Sequence, residues 1–502
     1  MGLKGTAAKL LAHVVHRQTV RWSLHPEETQ KKLFQKLVET AKNTRFGEDH
    51  NFASITRYRD FKEAVPIRDY EALLHYTSKI LEGEENVLWP GKPLYLSKTS
   101  GTTSGIKYIP ISRDSMPYHV QGARNALLSY VHQTGNASFL EGKMIFLSGS
   151  PRLEEKSGIP TGRLSGIVNH HIPSYLRGNQ LPGYETNCVE DWEKKLDKIV
   201  DETINSRMTL ISGIPPWIQM YFDRIMELTG KTIGEVFPHL KVIAHGGVNF
   251  EPYRQKLLDS IGRPVDTIET YPASEGFIAY QDDLEKEGLL LLLNSGIYYE
   301  FVRVEEINSP NPPRLAIKNI ELGVNYAIII STNAGLWGYN LGDTVKFVSK
   351  EPYRIVVTGR IKQFISAFGE HVIAEEVETT INQVAREEGV NIIEFSVAPQ
   401  VNPHSGLPYH EWFIEFENLP ENMEAFRMKM DEKMCLRNIY YNDLVAGRIL
   451  QPLIISPVKR GGFIEYMKKI GKLGGQNKVP HLSNDRSIAD KLDSYILQPE
   501  KA

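Results

Sequence analysis

Thr99-Ser100-Gly101-Thr102-Thr103-Ser104-Gly105-Ile106-Lys107 packs hydroxyls, two glycines and a lysine into nine residues. Glycines let the backbone approach an anion closely with its amides turned inward; the hydroxyls add donors and the lysine a mobile positive charge. A triphosphate is the natural ligand for such a loop. The pattern is not a Walker A loop, since Lys107 stands two residues beyond Gly105 and Tyr108 follows it where Ser or Thr would be needed. A solvated turn between strands is the competing reading, because Ser/Thr/Gly clusters are common in loops.

Further motifs follow in order. Tyr271-Pro272-Ala273-Ser274-Glu275-Gly276 comes first, then Tyr339-Asn340-Leu341-Gly342-Asp343, then Gly359-Arg360 and Gly369-Glu370. Their order and types resemble the adenylate-forming superfamily of acyl-CoA synthetases, luciferases and peptide-synthetase adenylation domains. The closer resemblance is to the Gretchen Hagen family of acyl acid amido synthetases, known from plant hormone conjugation and with bacterial members. That family's phosphate loop, Tyr-x-x-Ser-Glu-Gly and Tyr-x-x-Gly-Asp motifs all stand here in sequence, and the resemblance runs from about Pro66-Ile67 to Lys478.

The resemblance implies roles residue by residue. Thr99, Ser100, Gly101, Thr102, Thr103, Ser104 and Lys107 would hold the phosphates of ATP. Glu275 would be the catalytic carboxylate that binds Mg²⁺, which takes few protein ligands and draws the rest from phosphates and water. Ala273 and Ser274 line the same turn. The Tyr271 ring would stack on adenine, or belong to the core. Asp343 would accept hydrogen bonds from both ribose hydroxyls; family members often carry Arg where Asn340 stands. Gly246 and Gly247, in His245-Gly246-Gly247-Val248, would lie flat against adenine, or form a tight turn after a strand. Lys478, in a Gln-x-Lys-x-Pro loop, would be the catalytic cation that neutralises charge on the reacting α-phosphate. His481 stands where plant members often carry Arg. For the acyl acid, Tyr118 and Arg124 share a helix face with Leu127, and Arg124 would meet a polar end of the acid or pair on the surface.

These residues need elements to position them. Short apolar runs at Leu94–Leu96, Met144–Leu147, Met208–Ile211, Val242–Ala244 and Tyr326–Ile330 read as strands, and Val189–Ile204 and Pro216–Leu228 read as helices between the second, third and fourth of these. Ser115–Tyr130 reads as a helix after the phosphate loop. Residues 1–90 look helical, with Leu33, Leu37 and Ala41 at helical spacing and Pro26 at a first-turn position. The fold class expected is α/β: a large adenylation domain over residues 1–360 with layered sheets and helices. After Gly359 the rhythm changes to strand-strand-helix-strand-helix, with strands at Ile393–Val397, Trp412–Phe416 and Pro452–Ile455 and helices at Glu421–Cys435 and Gly462–Lys469. This resembles the small mobile α+β carboxy-terminal domain of adenylate-forming enzymes, here 361–502, with Arg360 to Lys362 at the hinge.

Composition narrows the class. At 502 residues, more than one domain is expected. A hydrophobic content of 41% with 24% charged residues fits a globular enzyme, and a net charge of −3 gives no reason to expect a nucleic-acid or anionic-membrane partner. Cys188 and Cys435 match no metal or redox spacing and read as thiols in a reducing cytosol. The apolar run Leu10–Val15 is broken by His and Arg, which argues against a signal peptide. Leu289–Leu293 is too short for a membrane span. A cytoplasmic protein with small-molecule partners is expected; the oligomeric state is not legible.

The chemistry these features imply is an ATP-dependent acid–amine ligation. A carboxylate attacks the α-phosphate of ATP, giving an acyl-adenylate and pyrophosphate; an amino acid amine then attacks the acyl carbon and expels AMP. Thioester formation with coenzyme A shares the first half-reaction and stands as the alternative. A non-catalytic nucleotide-binding protein is the other.

Overall fold

The structure is a computed structural model and describes residues 3–99, 107–172, 174–189, 192–247, 250–361, 364–365, 370, 372–401, 403, 405–448, 450–473, 478–483 and 485–497. Contacts divide the chain into two units: Met1–Phe250 with Leu257–Val357, and Glu251–Lys256 with Thr358–Ala502.

The larger unit is built on a twelve-stranded mixed sheet. One end is parallel, with Gln180–Leu181, Lys143–Phe146, Met208–Gly213, Val242–Gly246 and Asp266–Ala273 side by side. Met208, Leu210, Ile211, Val242 and Ile243 are all buried. Runs apolar on both faces are what parallel strands covered by helices require. Helices Trp192–Thr203, Pro215–Thr229 and Glu251–Ile261 alternate with these strands. The consequence for function lies at the carboxyl ends: Phe146, Gly213, Gly246 and Ala273 finish on one edge of the sheet, where open α/β folds bind ligands.

From Ala273 the sheet turns antiparallel through Gly276–Tyr280, Leu289–Leu291, Tyr353–Arg360, Tyr339–Lys350, Asn325–Thr332, Ile297–Arg303 and Leu315–Ala316. Helix Pro26–Ala41 covers this half. Its Phe34 packs on Tyr298 and Phe61 at ring-centroid distances of 5.0 and 5.2 Å. The buried amide of Gln30 donates to the carbonyls of Leu293 and Ile297 and accepts from the Tyr299 N–H. Every polar atom it brings inside is thereby paired. A separate four-stranded sheet pairs Tyr95–Thr99 antiparallel with Lys107–Ile111 and parallel with Ile159–Gly162.

The smaller unit holds a three-stranded sheet, Ile392–Gln400, Tyr409–Phe416 and Ile454–Val458. Strand alternation divides its core: Trp412 and Ile414 face Val377, Ile381, Phe426 and Met430, whereas Phe413 faces Phe463, Tyr466 and Met467. The α+β order expected after Gly359 is present. Three further helices lie in this unit among the described residues, Ala374–Glu388, Ile439–Ala446 and the short Ala489–Leu492. No helix among the described residues is long and apolar enough to cross a membrane.

Candidate active site

Three sequence motifs meet in the larger unit. Asp266–Ala273 turns into Gly276–Tyr280 through Ser274 and Glu275 alone, so both side chains are carried by a two-residue hairpin loop. Ser97, in the middle of the strand that leads to the phosphate loop, donates from Oγ to Ser274 Oγ at 3.0 Å. That bond ties the small sheet to the hairpin.

Asp343 enters from the third motif. Strand Tyr339–Lys350 slips its register against Asn325–Thr332 between the pairs Ile329↔Asn340 and Ala327↔Thr344, which leaves Leu341–Asp343 in a bulge. A bulge re-aims side chains out of the ladder. Gly342 has φ +85° there, a left-handed value that a side chain would oppose. The Gly342 N–H is taken by Asn340 Oδ1 at 3.0 Å. The Asn340 amide therefore shapes the turn that presents Asp343.

Two tyrosines close the cluster. The Tyr271 hydroxyl donates to Asp343 Oδ2 at 2.5 Å, and the Tyr339 hydroxyl donates to Glu275 Oε1 at 3.4 Å. Both carboxylates are thus gripped by phenols from the core. The Tyr271 ring, which the sequence offers as an adenine platform or a core residue, is 8% exposed and packs in the main core. Its contribution here is the hydroxyl that orients Asp343.

Gly246 ends its strand buried, and Gly247 follows it exposed with φ +79°. A Cβ at Gly246 would stand 2.1 Å from the carbonyl oxygen of Thr270. The missing side chain is explained by the neighbouring strand, whose Thr270 Oγ1 donates to the His245 carbonyl at 3.0 Å. Thr99 and Lys107 form the last register pair of their two strands, at the base of the loop between them. Lys107 Nζ lies 5.6 Å from the Tyr70 ring centroid, and the Tyr70 hydroxyl accepts from the Tyr108 N–H. Ser100, Gly101, Thr102, Thr103 and Ser104 lie outside the described residues. Tyr118 is half-buried on helix Met116–Thr134, whereas Arg124 is exposed and its guanidinium donates to Asn125 Oδ1.

In the smaller unit, Arg360 is exposed at the end of Tyr353–Arg360 and Lys478 is exposed in its loop; Lys362 lies outside the described residues. Three residues beyond Lys478, His481 sits between two carboxylates, with Nδ1 2.8 Å from Glu378 Oε1 and Nε2 3.0 Å from Glu394 Oε1. Its ring stacks on Phe395 at 4.2 Å. Burial disfavours the charged ring, but the hydrogen bonds and charges of both glutamates outweigh it and hold His481 up at about 10. The Val397 N–H donates to the His481 carbonyl and the Ser483 N–H to the Val397 carbonyl. The segment after Lys478 is therefore stitched to the sheet edge.

Ser97 and Tyr339 join this cluster without being singled out by the sequence motifs. Ser97 carried no signal beyond a polar residue inside a strand, while Tyr339 opens a motif that had been quoted for its aspartate alone.

Comparison with known proteins gives the family and the fold. The GH3 family N-terminal domain matches residues 16–182, the central domain 290–360 and the C-terminal domain 375–487. A jasmonoyl–L-amino acid synthetase of Nicotiana attenuata, JAR6, is 22% identical over 93% of this chain and 92% of its own length. An indole-3-acetic acid-amido synthetase of Arabidopsis thaliana, GH3.4, is 23% identical over 94% and 92%. Among solved structures, the GH3.15 acyl acid amido synthetase superposes with a TM-score of 0.81 at 14% identity, covering 98% of this chain and 97% of that one. A 2-hydroxyisobutyryl-CoA ligase in the postadenylation state reaches 0.60 at 12% identity, over 93% and 90%. The fold is that of adenylate-forming enzymes, and the three matched domains together span most of the sequence: the chain belongs to the GH3 family.

Proposed function

We propose that this protein is an ATP-dependent acyl acid amido synthetase. The observation that carries the reading is the convergence of Ser97 on Ser274, Tyr271 on Asp343 and Tyr339 on Glu275. Two carboxylates, Glu275 and Asp343, are each held by a tyrosine hydroxyl, and the strand that ends at Thr99 is tied to the turn that carries Glu275. Relatives named as amino acid conjugating synthetases support the same chemistry.

In the first half-reaction a carboxylate oxygen of the acid bonds to the α-phosphorus of ATP, and the bond to the departing pyrophosphate breaks. In the second, the amine nitrogen of an amino acid bonds to the acyl carbon, the acyl–oxygen bond to AMP breaks, and the amine loses a proton. Hydroxide is too poor a leaving group at neutral pH for direct amide formation; AMP is a good one. The protein contributes positioning and charge stabilisation.

In this reading Asp343 accepts the ribose hydroxyls, with Gly246, Gly247, Ala273 and Ser274 around the nucleotide and Thr99 and Lys107 at the base of the phosphate loop. Glu275 is the Mg²⁺ carboxylate. Among the described residues no group of three or more His, Cys, Asp or Glu side chains could hold a metal by itself. A single carboxylate suits Mg²⁺ that takes its other ligands from phosphate and water, and the ion would neutralise phosphate charge. Lys478 is assigned to the adenylation step and Arg360 to the nucleotide.

ATP–pyrophosphate exchange across a panel of indole-3-acetate, jasmonate, 2,4-DB, benzoate and short fatty acids tests the reading, followed by mass spectrometry with amino acids added. Exchange without coenzyme A and an amide product are expected. A thioester with coenzyme A and no amide would establish the alternative ligase; exchange with no acid would leave a nucleotide-binding protein.

A further inference from the structure

Gly162 pairs with Ser97 at the end of Ile159–Gly162, and the next residue is Arg163. The Arg163 side chain is half-buried, and burial alone pulls its guanidinium below the usual range. No acidic side chain among the described residues offsets that burial. A Cβ built on Gly149 would stand 3.0 Å from Arg163 Cδ. The arginine stem therefore crosses the turn Leu147-Ser148-Gly149 just beyond the carboxyl end of Lys143–Phe146.

A second cation lies close by. Lys195, on Trp192–Thr203, is 3% exposed and donates from Nζ to the carbonyls of Ser148 at 2.9 Å and Asn187 at 2.8 Å. Burial brings its ammonium down to about 8, with Cys188 opposing the shift and the charge of Arg163 adding to it. Ser148 Oγ and Asn187 Oδ1 are buried without a hydrogen-bond partner. A buried and a half-buried cation with no carboxylate between them among the described residues are costly. Such a pair is stabilised when an anion arrives.

We propose that Arg163 binds a substrate carboxylate. The inference rests on the ligase reading above and names the side chain that meets one of its two carboxylate substrates. The planar guanidinium fork matches a carboxylate in two parallel hydrogen bonds. Strand Met208–Gly213 separates Lys143–Phe146 from Val242–Gly246. Two strand spacings put the Ser148 turn about 10 Å from the Gly246 end, which leaves the nucleotide residues on one side and Arg163 on the other. The carboxylate has two sources, the acid before activation and the α-carboxylate of the acceptor amino acid.

Kinetics of Arg163→Gln and Arg163→Lys against wild type separate them. With the panel acid that supports the fastest exchange, the acid KM is read from pyrophosphate exchange. The amino acid KM is read from amide formation at saturating acid. One of the two should rise about tenfold or more in Arg163→Gln, the size of one lost charge-assisted contact, with the KM for ATP unchanged and partial recovery in Arg163→Lys. A rise in exchange assigns the acid; a rise only in amide formation assigns the acceptor. Unchanged KM values for both carboxylates, or a change confined to ATP, overturn the assignment while the ligase reading stands. A wild-type protein that exchanges with no acid refutes that reading, and this inference with it.

Discussion

The hydroxyl of Tyr271 and the carboxylate of Asp343 stand 2.5 Å apart, although 72 positions separate them in the chain. A carboxylate held by a core phenol keeps one orientation. Asp343→Ala should weaken ATP binding by about 1.5–3 kcal/mol, the range for hydrogen bonds to a charged group. Tyr271→Phe keeps the ring and frees the carboxylate, and should cost about 0.5–1.5 kcal/mol. Calorimetric titration with ATP and Mg²⁺ reads both. If Tyr271→Phe proves the more damaging, the hydroxyl touches the nucleotide itself and the orienting role is wrong.

A second buried contact concerns stability alone. Glu300 is fully buried, accepts from the Tyr58 hydroxyl at 2.6 Å and pairs with Arg314, which is 5% exposed and also donates to the Val65 carbonyl. Removing one partner strands the other charge inside. Glu300→Ala should therefore lower the stability of the larger unit by about 3–5 kcal/mol, read by urea unfolding. A loss below about 1 kcal/mol would mean that water reaches Arg314.

The two halves of this site differ in how much the sequence disclosed. The types of Glu275 and Asp343 and their motifs were legible because they are local: a two-residue turn, and a Gly-Asp step. The Ser97–Ser274 bond spans 177 positions and depends on how two sheets dock, which no local pattern encodes. Gly246 reads toward a ligand or a tight turn; the carbonyl of Thr270 on the next strand, which leaves no room for a Cβ there, has no local signature. Helix Ala374–Glu388 went unread although Val377, Ile381 and Val384 stand at helical spacing and are all buried; the signal was there. The parallel strands announced themselves as apolar runs. Much of the antiparallel half did not, since its strands mix aromatics with Glu300, Arg303 and Lys346.

Lys478 carries the clearest kinetic prediction. A cation that acts on charge developing between the acid and the α-phosphate is felt in the transition state more than in bound ATP. Lys478→Ala should slow pyrophosphate exchange on the order of 10²–10³-fold, while ATP affinity stays within about twofold. Exchange at the wild-type rate would remove Lys478 from the adenylation step and leave the nucleotide residues untouched.

The final prediction follows from His481. Its folded value of about 10 stands above the ordinary 6.5, so between those limits the folded protein holds a proton that the unfolded chain has released. Stability from this group is complete below about pH 6.5 and is lost as pH rises toward 10, at no more than about 1.4 kcal/mol per pH unit. The groups facing the ring are Glu378 and Glu394, and the Tyr253 hydroxyl donates to Glu394 Oε2 at 3.1 Å. Lys195 works in the opposite direction: its folded value near 8 lies below the ordinary 10.5, so its contribution rises with pH. The comparison must therefore be between variants at each pH. Wild type should exceed His481→Gln in unfolding free energy at pH 6.5, and the gap should close steadily by pH 10. Hydrogen exchange at the Val397 and Ser483 amides, which bond across the same edge, should accelerate in the variant at neutral pH. A gap that stays constant across this range would mean that the neutral ring already makes the contacts, and that the charge of His481 holds nothing in place.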